Sequence, residues 1–133
     1  AGGIGITPFW SVLEHFSRIG YTGNITLFWA NNTVADIIRP DEFSGYTKKL
    51  DLNIIHAIWR DEQTIATLPV TPKLTFLSGL LTRDIFTAHA RFDKATIYVC
   101  GPPVMNGKIA ELLATMNIEP GRIFTEAQVA PKT

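Results

Sequence analysis

The sequence predicts an α/β domain, a parallel sheet flanked by helices, on three observations. Short apolar runs rich in strand formers alternate with segments whose apolar residues recur at helical spacing. A glycine-rich turn, Ala1-Gly2-Gly3-Ile4-Gly5-Ile6-Thr7-Pro8, leads straight into the first helix. A strand runs into Cys100-Gly101-Pro102-Pro103 just before the last long helix. The chain has 133 residues, which suits one domain with one real core.

The elements follow in order. Phe9, Val12, Leu13 and Phe16 predict a helix over residues 8–19. Thr7 is placed as its N-cap, Pro8 at its first position and Gly20 as its left-handed end. Residues 25–30 read as a strand buried on both faces. Pro40 and Asp41 open a helix with Phe43, Tyr46, Thr47 and Leu50 on one face. Residues 53–59 form the next strand. Residues 60–79, with Pro69 and Pro72, are irregular apart from a short extended stretch at 74–77. Leu81, Ile85, Phe86 and His89 suggest a short helix starting near Thr82. Residues 96–100 are a strand, Met105, Ile109, Leu112, Leu113 and Met116 an amphipathic stripe, and residues 122–126 the last strand.

Composition narrows the function. Apolar residues make up 46% and charged residues 18%, a globular balance. Twelve basic residues against 12 acidic ones give no electrostatic pull on nucleic acid. One Cys excludes an intrachain disulfide and a Cys-rich metal centre in this chain, and fits a reducing compartment. No apolar run reaches the length of a membrane span. A cytoplasmic location is expected, with membrane association through a partner left open. His15, His56 and His89 lack metal-ligand spacing and read as surface or satisfied core residues. Asp41, Glu42, Asp61 and Glu62 read as solvated charges, and Trp10 as a rim residue of its helix.

Two motifs carry chemistry. Glycines let a phosphate approach the backbone, and a helix start offers free N–H groups to an anion. The spacing Gly3-x-Gly5-x-x-Pro8 has proline where a dinucleotide fingerprint has its third glycine. Cys100 stands at a strand's carboxyl end, where open α/β sheets bind ligands. Strand ends at Ala30, Trp59 and Cys100 lack the acidic residues of a receiver-like phosphorylation domain.

Taken together, these motifs resemble the nicotinamide-nucleotide-binding domain of the ferredoxin–NADP reductase superfamily. The likeness also rests on Leu27-Phe28-Trp29-Ala30-Asn31-Asn32, on Tyr98-Val99-Cys100-Gly101-Pro102-Pro103-Val104-Met105 and on Ile123-Phe124-Thr125-Glu126. It implies a pyrophosphate cradle at Gly2, Gly3, Gly5, Ile6, Thr7 and Pro8. Asn31 and Asn32 would line the adenosine side, with Arg60 near any extra phosphate. Cys100, Gly101, Pro102 and Met105 would lie under the dinucleotide. Cys100, Thr7 and Glu126 would stand nearest the hydride transfer. The implied cofactors are NAD(P)H, with NAD preferred because Asp61 and Glu62 follow Arg60, and FAD through a domain not in this chain. The implied role is the NAD(P)H-binding half of a flavin-dependent oxidoreductase, with a redox partner the residues do not name. A nucleotide-binding module without catalysis is the alternative. No aromatic follows Glu126 in Ala127-Gln128-Val129, unlike many members.

The resemblance also implies strand order 3-2-1-4-5, with the first, central strand upstream of Ala1. Residues 1–133 are then expected to be one NAD(P)-binding domain within a longer flavin-dependent reductase. Omitting a central strand opens a gap of roughly 10 Å between residues 25–30 and 96–100. Three outcomes are expected: a gap facing Gly2 and Gly3, a rearranged closed sheet, or a strand donated by another chain.

Overall fold

The computed structural model describes residues 1–125. Helix α1 (Thr7–Ile19) is followed by β1 (Ile25–Asn31), α2 (Pro40–Lys49) and β2 (Leu52–Ile58). The short α3 (Glu62–Ile65), β3 (Leu74–Ser78), α4 (Arg83–His89), β4 (Ile97–Val99), α5 (Pro103–Thr115) and β5 (Ile123–Thr125) complete it. Helix α3 falls in the stretch expected to be irregular.

The strands form two parallel sheets, β1-β2-β3 and β4-β5. The slot between β1 and β4 is occupied at its carboxyl end by Ala1 and Gly2. The Ala1 amino group donates to Phe28 O (2.6 Å), Ala30 N–H donates to Ala1 O (2.9 Å) and Gly2 N–H donates to Cys100 O (2.9 Å). Of the three expected outcomes, the divided sheet facing Gly2 is the one observed. The extended stretch at 74–77 is a full strand on the outer edge of β2, so the expected order gains one strand there.

Each face of the larger sheet buries a separate core. On one, Leu27 and Trp29 of β1 and Leu52, Ile54 and Ile58 of β2 pack with Leu13 of α1 and Phe43 and Tyr46 of α2. On the other, Phe28 meets Phe86 of α4 edge-on at 4.9 Å, beside Val99, Ile109 and Leu113. Burying each large aliphatic side chain contributes about 1.5–3 kcal/mol.

Several expectations change. Both faces of strand β1 are covered, but unequally: Leu27, Trp29 and Asn31 are buried while Phe28 and Ala30 are half-buried. Tyr98 of β4 is 61% exposed and stacks on Phe124 at 5.4 Å. Trp10 is no idle rim residue. Its indole N–H donates to Glu42 Oε1 (3.1 Å), its ring lies under the Arg39 guanidinium, and it tilts against Phe43. This contact joins α1 to α2 and braces Arg39, whose φ of 46° is left-handed. Glu42 and Asp61 are hydrogen-bonded acceptors and not merely solvated charges. Helix α4 starts beside Thr82 as expected, and the Thr82 hydroxyl caps it, accepting from Ile85 N–H.

His56 is buried but not satisfied. It sits in the central strand β2, stacks on Phe76 at 4.9 Å and leaves Nδ1 without a partner. Burial lowers its pKa from 6.5 to about 4. The unfolded chain therefore takes up a proton that the folded chain refuses. Stability is full above pH 6.5 and falls as the pH drops toward 4, by roughly 3 kcal/mol in all. Urea midpoints of the protein measured from pH 7.5 to 4 should fall with this slope. H56F should flatten the curve, and an unchanged slope in that variant would refute the assignment to His56.

Candidate functional site

The site lies where the carboxyl ends of β1 and β4 meet the glycine turn. Gly3–Ile6 form a 3-10 turn ahead of α1, closed first by Gly5 N–H donating to Gly2 O (2.9 Å). The N–H groups of Gly3 and Ile4 precede that bond. Thr7 is therefore not the N-cap of α1 but its first residue, with Ile6 at the cap and Pro8 following. The Thr7 hydroxyl donates to Ile4 O (3.2 Å). The tighter turn takes the place of side-chain capping, because the chain leaves the slot between the sheets at a sharp angle.

The glycines serve different ends. A Cβ on Gly5 would lie 2.5 Å from Cys100 O and 2.8 Å from Gly101 Cα. One on Gly2 would meet Met105 Sδ at 2.4 Å, and one on Gly101 would meet Met105 Cε at 2.5 Å. These positions are glycine because two backbones and the Met105 side chain are packed together. Gly3 is the reverse: its Cβ would meet nothing within 4 Å, and its φ of +51° is what demands glycine. Of the four, Gly3 alone combines a left-handed conformation with open space. A glycine turn of this kind, ahead of a helix start, fits a phosphate.

The Cys100 loop is held from below. Cys100 is buried and outside any disulfide. Asn106 of α5, buried itself, donates from Nδ2 to Gly101 O (2.9 Å), and its backbone N–H donates to Pro102 O (3.0 Å). Met105 packs beneath the same loop, while Pro102 is exposed. Ile6 is fully buried in the core, so its side chain supports the turn and faces no ligand.

A second group forms at the ends of β1 and β2. Asn31 O accepts from Trp59 N–H (3.0 Å) and Asn32 O from Arg60 N–H (2.9 Å). Asn31 is buried with Nδ2 unpartnered; Asn32 and Arg60 are exposed. The Arg60 guanidinium lies 5.8 Å from the centre of the Trp59 ring. The Asp61 carboxyl accepts from the Thr64 hydroxyl (2.6 Å) and Val34 N–H (2.9 Å), which hold its pKa below the usual carboxylate range. Glu126 lies outside the described residues. Among the described residues no cluster of His, Cys, Asp and Glu could hold a metal, and no helix is long and apolar enough to cross a membrane.

Two supporting residues escaped the sequence reading. Trp29 is completely buried, and its indole N–H donates to Gly3 O (3.1 Å). Asn106 carries the Gly101 loop. Both left a faint signal: a buried Trp N–H needs an acceptor, and Asn106 lies in register with Ile109 and Leu113 on the apolar face of α5.

Known proteins resemble this chain in sequence and in fold. The family described as oxidoreductase NAD-binding domain matches residues 1–111. The chain is 34% identical over 110 residues to NADH-cytochrome b5 reductase 2 of Mycosarcoma maydis, covering 77% of this chain and 29% of that protein. It is 30% identical over 129 residues to the gamma subunit of sulfhydrogenase 2 of Pyrococcus furiosus, covering 93% and 44%. The chain thus spans less than half the length of these relatives. The cytochrome b5 reductase domain of Ulva prolifera nitrate reductase shares the fold, with a TM-score of 0.73, 23% identity and coverage of 93% of this chain and 45% of that one. So does the flavohem-like FAD/NAD binding domain of a Vibrio cholerae nitric oxide dioxygenase, with a TM-score of 0.75, 16% identity and coverage of 94% and 47%. With the glycine turn and the Cys100 loop in contact at the sheet's carboxyl edge, the chain belongs to the oxidoreductase NAD-binding domain family, within the ferredoxin–NADP reductase superfamily.

Proposed function

We propose that this chain is the nicotinamide-nucleotide-binding half of a flavin-dependent oxidoreductase. The observation that carries the reading is the direct contact of the Gly2–Gly5 turn with Cys100, through the Gly2 N–H bond to Cys100 O (2.9 Å) and the side-chain-free packing of Gly5. That contact brings the open space at Gly3 beside the residue at the end of β4. The bound nucleotide would supply hydride, and a flavin held outside these residues would accept it. The chain's own part is positioning. The Gly3 turn binds pyrophosphate, Thr7 and Cys100 border the nicotinamide, and Gly101 and Pro102 form the surface beneath it, with Asn31 and Asn32 on the adenosine side. Residues beyond this chain would fill the slot between β1 and β4 with a central strand and carry the flavin domain. The divided sheet and the greater length of the relatives support this.

C100A in the flavin-loaded holoenzyme should slow flavin reduction by NADH roughly tenfold or more while the affinity for NADH changes little, because Cys100 aligns and does not react. Stopped-flow rates equal to the unaltered protein would remove Cys100 from the site.

The two glycines should part company. G5A forces Cys100 O away and should destabilise the fold by about 1–3 kcal/mol. G3A meets no atom and should cost only the left-handed strain, about 1 kcal/mol. Thermal melting of both variants checks the order, and the reverse order would refute the packing role of Gly5.

NAD is the proposed cofactor form. Asp61, held ionised by its two donors, and Glu62 both follow Arg60 and disfavour a second phosphate dianion there. Calorimetry should give a lower Kd for NADH than for NADPH; the opposite ranking would overturn the preference.

A further inference from the structure

We propose that Trp29 is a positioning residue for the glycine turn: its indole N–H locks the Gly3–Ile4 peptide with the N–H outward. This rests on the nucleotide-binding reading above. The Trp29 side chain is 0% exposed and its one polar atom donates to Gly3 O at 3.1 Å. A trans peptide points its C=O and its N–H in opposite directions. Drawing the Gly3 carbonyl inward onto the indole therefore turns the Ile4 N–H away from the core. Ile4 itself is 79% exposed, so its N–H lies at the surface of the turn.

The lock is needed because of the residue it holds. Glycine accepts both signs of φ at little cost, so the Gly3 carbonyl, and the Ile4 N–H with it, can flip by rotation about the Gly3 N–Cα bond. The space beside Gly3 is open, since a Cβ there would meet nothing within 4 Å. The flipped form would present a carbonyl oxygen, and hence repulsion, to an anion. A hydrogen bond from a rigid donor removes that alternative, and Trp29 is such a donor. Its ring meets Phe43 edge-on at 4.8 Å and His56 at 5.3 Å, and His56 stacks on Phe76 at 4.9 Å. Trp29, His56 and Phe76 are register partners across β1, β2 and β3, so the turn is referenced to the whole larger sheet.

The test removes the N–H and keeps the ring. In the flavin-loaded holoenzyme, W29F should raise the Kd for NADH about tenfold, and that for ADP-ribose, which keeps the pyrophosphate but lacks nicotinamide, by the same factor. Flavin reduction at saturating NADH should stay within about twofold of the unaltered protein. Replacement of Trp29 by its benzothiophene isostere, which exchanges only N–H for sulfur, should reproduce the loss and serves if W29F folds poorly. Unchanged affinity for both ligands in the isostere would overturn the proposal. So would a loss confined to NADH, or a saturated rate that falls as far as the affinity. Failure of the unaltered protein to bind either NADH or ADP-ribose would instead overturn the nucleotide-binding reading itself.

Discussion

The glycine turn and the Cys100 loop pack backbone against backbone. Gly5 lies against the Cys100 carbonyl with no room for a side chain, and Gly2 N–H closes the contact with a hydrogen bond to the same oxygen. The glycine turn opens α1 and the Cys100 loop opens α5, so this one contact fixes the relative placement of two helix starts. A carbonyl oxygen cannot yield as the far end of a long side chain can, which makes the spacing rigid. Met105 complements it by filling the space against Gly2 and Gly101 with a side chain able to adapt. The site is therefore the meeting of two loops whose separation is set by the absence of Cβ atoms.

The divided sheet gives that contact a second role. Between β1 and β4 the only strand-like pairing among the described residues comes from Ala1 and Gly2, which bond to both sides. The same two residues lead directly into the turn. Strand pairing at one end and loop packing at the other thus act on consecutive peptides, and the turn inherits its direction from the sheet. The two apolar cores meet on opposite faces of β1, with Leu27 and Trp29 turned one way and Phe28 the other. Strand β1 is in this sense the shared wall of the molecule.

Buried polar groups cluster along the same edge. Trp29 and Asn106 each donate to a loop carbonyl, one to Gly3 and one to Gly101. Asn31 Nδ2, His56 Nδ1 and Asn106 Oδ1 have no partner, and each such group costs about 1–3 kcal/mol. Apolar residues of similar size would make a more stable core at these positions. What the donors of Trp29 and Asn106 contribute is direction. A hydrogen bond orients a peptide group, whereas apolar packing constrains only its distance.

The sequence by itself determined the class of the fold and the two ends of the site. Helical spacing of Phe9, Leu13 and Phe16, the helix start near Thr82 and the stripe through Ile109 and Leu113 are local patterns, and local patterns survive into the structure because propensity and burial agree there. The glycine turn and Cys100-Gly101-Pro102-Pro103 were legible for the same reason, since each is a run of adjacent residues with restricted backbone choices. Tertiary structure decided what depends on neighbours distant in sequence. It moved Thr7 from cap to first turn, because the approach to Cys100 winds Gly3–Ile6 into a tighter helix. It divided the glycines into packing positions and one open left-handed position, a distinction invisible when all read as Gly. It turned Trp10 and Glu42 into a joint between two helices, and left His56 Nδ1 without a hydrogen-bond partner. It also gave Trp29 its acceptor, since a strand residue's periodicity states which face it takes but not which carbonyl waits on that face.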